Sequence, residues 1–181
     1  MSNEVAVAAR AAKIWHHGQV RKFTGEPYFH HLVEVAGLTA MAAVQPEWGV
    51  TQVDMLRVAY LHDSVEDTAA TIEELQDMFG LTVAQGVKWL TNTETGNRAT
   101  RKALAAVRLS QAPGWAQTIK CADIIANTRS LAMYDPEFFK LWSYEALVYL
   151  NGMIKGDPFL RGMAQTEIRW YRESLLDKLT A

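Results

Sequence analysis

Leu61-His62-Asp63-Ser64-Val65-Glu66-Asp67-Thr68 follows an apolar run that begins at Met55, so an adjacent His and Asp arrive at the end of a buried-looking helix. Two more carboxylates, Glu66 and Asp67, come directly after. Ionisable groups in such a place are costly to bury unless they are paired or coordinate a metal. Neighbouring residues on a helix point about 100° apart, so His62 and Asp63 can serve one ion only where the helix ends or kinks. The polar Ser64 and the acidic residues beyond it predict such an ending.

Outward from this stretch the chain reads as helical almost throughout, and all-α is the expected fold class. Helices are expected over 5–16, over 28–44 and from a Thr51 or Asp54 cap to Leu61. Thr71-Ile72-Glu73-Glu74 has the form of a capping box and opens a short helix ending at Phe79-Gly80. Further helices are expected over 81–90, 98–111, 115–134, 136–150 and 159–179. The segments QVRKFTGEP (19–27) and TNTETG (91–96) carry turn residues and read as loops. No segment alternates convincingly enough for a strand. At 181 residues the size prior favours one domain, 1–181.

Composition narrows the setting. A single cysteine, Cys121, cannot form an internal disulfide, which favours a reducing, cytoplasmic location. Beside the apolar Ala122 it is expected to be buried and inert. No apolar run approaches the ~20 residues that span a bilayer, and no basic leader precedes the first helix. A net charge of −2 argues against nucleic acid and membrane surfaces as partners. It leaves room for a phosphorylated small molecule.

Two other segments join the His-Asp pair. Pro27-Tyr28-Phe29-His30-His31 follows the Gly-bearing loop, and Lys120-Cys121-Ala122-Asp123-Ile124-Ile125-Ala126-Asn127 sets Asp123 and Asn127 four apart on one helix face. A histidine from the second helix, His62-Asp63 from the third and Asp123 from the later helix supply two imidazoles and two carboxylates. That donor set suits Mn, Fe or Zn.

These segments in this order resemble the HD-domain phosphohydrolases, and among them the single-domain small alarmone hydrolases of the RelA/SpoT type. The carrying stretches are RKFTGEPYFHH (21–31), LHDSVEDT (61–68) and KCADIIAN (120–127). The resemblance implies a compact HD-domain bundle of about eight to ten helices. It implies metal ligands at His31, His62, Asp63 and Asp123, with one divalent ion, Mn²⁺, as cofactor. Glu66 and Asp67 fall on the acidic pair that positions and activates water, Asn127 on an active-site Asn, and Arg21 and Lys22 on a basic pair lying against the nucleotide. The implied reaction is hydrolysis of guanosine 3′,5′-bis(diphosphate) (ppGpp) at the 3′ position, releasing pyrophosphate and leaving GDP or GTP. The chain departs from the family at His30-His31-Leu32, where a proline usually follows the ligand, so His30 is a second candidate. Cys121 and Ile124 also replace a usual leucine and a usual basic residue.

All five histidines, 16, 17, 30, 31 and 62, lie before Asp63. Two-metal HD proteins draw extra histidines from beyond it, so a single ion is expected. A lone divalent ion can polarise a phosphate and acidify water while Glu66 or Asp67 takes the proton. Arg98, Arg101 and Lys120 are further candidates for phosphate contacts. The tandem His16-His17 is expected near the end of the first helix, with a helix-dipole role or none. The alternatives are an HD nucleotidase for another substrate (a dNTP, NADPH or a nucleoside monophosphate), or a non-catalytic nucleotide sensor. Oligomeric state is not encoded in any motif.

Overall fold

The computed structural model describes residues 3–180, with side chains through Leu175. Helices follow one another with no named strand among the described residues; the one β-bridge, antiparallel between Val20 and Pro27, closes the 19–28 loop. The chain divides into two compact units with the boundary between Glu94 and Thr95.

The first unit contains α1 (Asn3–Trp15), α2 (Phe29–Thr39), a 3₁₀ turn (Pro46–Trp48), α3 (Gln52–Leu61), the single-turn α4 (Ser64–Asp67), α5 (Ile72–Phe79) and α6 (Leu81–Leu90). Its hub is α3, against which α1, α2 and α6 pack, while α5 lies on α6. The reason is in the sequence: Met55, Val58, Ala59 and Leu61 recur at helical spacing and are all completely buried. Each large apolar side chain so buried stabilises by about 1.5–3 kcal/mol. On α1 the residues Val5, Ala8 and Ala12 form the buried stripe.

Caps set the helix starts. Thr51 accepts from the Asp54 amide while the Asp54 carboxylate accepts from the Thr51 amide, and Thr71 with Glu74 repeats that reciprocal box at α5. Gly80, at φ 86°, turns the chain between α5 and α6 in a conformation that a side chain would strain. The second helix is shorter than its sequence pattern. It stops at Thr39, whose carbonyl accepts from Gln52 Nε2 at 3.3 Å, and the chain then tightens into turns (Met41 N to Leu38 O, 3.0 Å).

The second unit contains α7 (Arg98–Gln111), α8 (Gly114–Tyr134), α9 (Pro136–Gly152) and α10 (Pro158–Thr180). Here α8 is central, packed by α9 and α10, with α7 on α9. Most of α8 is buried all round, as expected of a helix without a distinct polar face. Asp135 caps α9 with Pro136 at its first position, and Asp157 accepts from the Leu160 amide at 2.9 Å to cap α10. Gln117, fully buried, ties the turn before α10 to α8: its Oε1 accepts from the amides of Lys155 (2.9 Å) and Gly156 (3.0 Å). A Cβ on Gly156 would stand 3.1 Å from Gln117 Cβ, so the close approach favours glycine there.

Candidate functional site

The α3 helix ends at Leu61, and His62 and Asp63 occupy the break before α4. Asp63 sits at φ −96°, ψ −2°, turning the chain between the two helices. This break allows adjacent residues to aim at a common point. His62 Nδ1 lies 2.8 Å from the Ala59 carbonyl; a carbonyl only accepts, so Nδ1 carries the proton and Nε2 is the nitrogen that could coordinate an ion. His62 Nε2 lies 3.1 Å from Asp63 Oδ2, and His31 Nε2, from the first turns of α2, lies 3.7 Å from the same oxygen. Both imidazoles are buried.

His31, His62 and Asp63 each offer one ligand atom within 4.8 Å of the others. Bonds of about 2.0–2.2 Å to N and O donors require donors within roughly twice that distance of one another, so the trio fits a divalent ion. His30 lies outside this trio, with its side chain exposed 3.8 Å from Glu26.

Tyr28 completes the surroundings. Its hydroxyl donates to Asp63 Oδ2 at 2.6 Å, its ring meets His31 edge-on at 5.4 Å, and it stacks on His16 at 5.1 Å. Asp63 is thus held by a neutral donor while facing two imidazole nitrogens.

The acidic pair is divided between partners. Glu66 Oε1 accepts from the Asn92 backbone N–H at 2.7 Å, and both Glu66 oxygens accept from the Asn92 side-chain amide at 3.0 Å. The loop after α6 is therefore pinned to α4. Asp67 Oδ2 accepts from Gln19 Nε2 at 3.1 Å. Both carboxylates are solvent-exposed.

In the second unit Lys120, Asp123 and Asn127 share one face of α8. Lys120 Nζ donates to Asp123 Oδ2 at 2.8 Å and Asn127 Nδ2 donates to Asp123 Oδ1 at 2.6 Å. Asp123 itself is buried. The Arg98 guanidinium forks onto Glu145 at 2.7 and 2.8 Å and lies 5.1 Å from the Phe138 ring centre. Its hydrogen bond to Glu145 raises its pKa above the ordinary arginine value. Arg101 Nη1 donates to the Gly96 carbonyl at 3.0 Å. Arg21 is half-buried in the loop closed by its amide bond to Glu26 O (2.8 Å), and Lys22 reaches over Phe23 at 4.7 Å. Cys121 is fully buried, and burial pushes its thiol pKa up to about 12.

Sequence reasoning gave Tyr28, Gln19 and Asn92 no role at the site. Tyr28 carried a usable signal, since a buried phenol seeks a partner and this one sits three residues before His31. His16, expected near the end of the first helix with a dipole role or none, directly follows the end of α1; it is 3% exposed and its Nδ1 engages Gln19 Oε1 at 2.5 Å.

Known proteins resemble this chain in sequence and in fold. The model of the HD domain family matches residues 7–134. Guanosine-3′,5′-bis(diphosphate) 3′-pyrophosphohydrolase MESH1 of Homo sapiens is 33% identical over 141 residues, covering 76% of this chain and 76% of the human one. The enzyme of the same name from Danio rerio is 34% identical over 113 residues, 62% of this chain and 60% of its own length. A solved structure described as a metazoan ortholog of SpoT that hydrolyzes ppGpp superposes with a TM-score of 0.83, covering 94% of this chain and 96% of that one. At 24% identity that likeness speaks for the fold.

Proposed function

This chain belongs to the HD domain family, and from that membership we propose that it hydrolyses ppGpp at the 3′ position, releasing pyrophosphate and leaving GDP or, from the pentaphosphate, GTP. The observation that carries the reading is the convergence of His31 Nε2 and His62 Nε2 on Asp63 Oδ2, in a chain whose relatives carry that activity in their names.

We assign Asp123 as the fourth metal donor, because its segment follows the His-Asp segment within the span that matches the HD domain family. Two imidazoles and two carboxylates form a mixed donor set accepted by Mn²⁺, which we propose as the ion. When bound, it supplies Lewis-acid polarisation of the phosphoryl oxygens. The protein does the rest. His62, fixed by the Ala59 carbonyl, and Asp63, fixed by Tyr28, present their donors without reorganisation. Glu66 and Asp67 position the attacking water, and one of the two carboxylates accepts its proton. Attack at the phosphorus on O3′ breaks the P–O3′ bond, and the proton ends on the 3′ oxygen.

Arg21 and Lys22 meet the phosphates, together with Arg101, Lys120 and the Arg98 donors not engaged by Glu145. Asn127 steadies Asp123, to which it donates a hydrogen bond. The cytoplasm is the proposed compartment, and no helix among the described residues is long and apolar enough to cross a membrane.

Two variants test the division of labour. Asp63→Ala abolishes ppGpp turnover and lowers metal content; Glu66→Ala abolishes turnover but keeps its metal. Loss of metal from Glu66→Ala would show that Glu66 is a ligand, and full turnover by Asp63→Ala would overturn the site.

A further inference from the structure

Just after α1, His16 and Gln19 form a hydrogen-bonded line that ends on Asp67, a residue 48 positions further along the chain. A carboxylate only accepts, so the Gln19 Nε2 amide must face Asp67 and its Oε1 must face His16. That oxygen also only accepts. His16 therefore carries a proton on Nδ1 and donates it at 2.5 Å. The orientation of both rotors follows from the chemistry of the ends and needs no observed hydrogen.

His16 is 3% exposed, and its Nε2 is buried with no partner among the described residues. A buried polar nitrogen of this kind costs stability relative to an apolar side chain. The ring could be replaced by phenylalanine without losing its stacking on Tyr28, which lies 5.1 Å away at 21°. The one thing an imidazole adds is the Nδ1 donor. Gln19 is half-buried between that donor and the exposed Asp67. A long, otherwise flexible amide is thereby given a single orientation at the edge of the site.

We propose that Gln19 is a positioning residue for Asp67, and that His16 sets the orientation of the Gln19 amide. Neither residue touches the reacting phosphate. Gln19 restricts the Asp67 carboxylate to one direction, leaving its other oxygen, Oδ1, for the water, and His16 prevents the amide from turning its oxygen toward Asp67, where two acceptors would repel. The proposal rests on the role given to Asp67 above.

Three readouts test it on the full chain loaded with Mn²⁺. A positioned general base contributes about 10²- to 10⁴-fold, and Gln19→Ala, which loosens rather than removes it, lowers kcat by about 10- to 100-fold with KM and metal content unchanged. His16→Phe lowers kcat similarly while its Tm stays level or rises, an outcome that a purely structural histidine could not give. His16→Asn, whose amide restores a donor near the Nδ1 position, recovers kcat relative to His16→Phe. The third readout needs no turnover: ¹⁵N-resolved NMR of the histidine rings shows His16 protonated at Nδ1, and that signature weakens in Asp67→Ala. If the wild type hydrolyses no ppGpp, the assigned reaction fails while the NMR signature still decides the line from His16 to Asp67. A bare Nδ1 on His16 overturns the proposal, as does a Gln19→Ala enzyme whose kcat stays within about twofold of wild type.

Discussion

Tyr28→Phe removes one oxygen atom, and the geometry of Asp63 gives that atom a defined task. The hydroxyl donates to Asp63 Oδ2 at 2.6 Å, the same oxygen that faces the His62 and His31 Nε2 atoms at 3.1 and 3.7 Å. Two effects then compete when the metal binds. Donation from the phenol draws charge from the carboxylate and weakens it as a ligand. It also holds the carboxylate in place, so that no rotamer freedom is lost on binding. Ordering a mobile side chain costs about 0.5–1.5 kcal/mol, or roughly 2- to 12-fold in a dissociation constant. Removing partners of metal ligands commonly weakens binding by about 10- to 100-fold, so orientation outweighs basicity. With Asp63 19% exposed, water can replace part of the lost bond, which places the expected effect near the low end, about tenfold weaker Mn²⁺ binding. Calorimetric titration of metal-stripped protein measures this directly, with a melting curve of the same sample to establish that the variant is folded. Equal or tighter Mn²⁺ binding by Tyr28→Phe would refute preorganisation of Asp63 by the phenol.

Gln117→Leu leaves the amides of Lys155 and Gly156 without their acceptor and removes the Gln117 donor from three carbonyls, those of Leu109, Ser110 and Ala112, the first of which keeps the Ala112 N–H at 3.3 Å. At about 1–3 kcal/mol per orphaned buried group, with partial access of water to the Lys155 amide, urea unfolding should register a loss of about 2–5 kcal/mol; a loss under about 1 kcal/mol contradicts the network's importance. Cys121 gives a pH test. Burial raises its thiol from an ordinary 9.0 to about 12 in the folded chain, so its contribution is complete below the unfolded pKa and is lost as pH climbs from 9 toward 12. Relative to Cys121→Ala, the wild type should lose about 1.4 kcal/mol per pH unit across that window, and parallel stability curves would contradict a thiol buried in its protonated form.

Local signals were legible and distant ones were not. The capping box at Thr71 involves residues three apart, so its pattern appears in the sequence as it does in the structure; at α3 the sequence left the cap between Thr51 and Asp54, which the structure joins in one reciprocal box. The Asp123–Asn127 face was readable for the same reason, through helical spacing. His62-Asp63 announced a helix end because adjacent donors need one, and α3 stops at Leu61. What escaped depends on partners brought together by tertiary packing. The Arg98 fork is engaged by Glu145, 47 residues away, and Glu66 by Asn92, 26 residues away. Neither pairing has a sequence period. The second helix ran short of its apolar pattern because the end at Thr39 is met by Gln52 from the next helix. Tyr28 escaped because its hydrogen-bond partner, Asp63, lies 35 residues away, and the line from His16 reaches Asp67 only through Gln19, 48 residues before it.

The most direct measurement is a product analysis. Protein stripped of metal, then supplied with Mn²⁺ and ppGpp, should yield GDP and pyrophosphate in equal amounts by anion-exchange chromatography, and neither product when the metal is withheld. Intact ppGpp in the presence of Mn²⁺, or release of orthophosphate in place of pyrophosphate, would contradict a metal-centred 3′-pyrophosphohydrolase built on His31, His62 and Asp63.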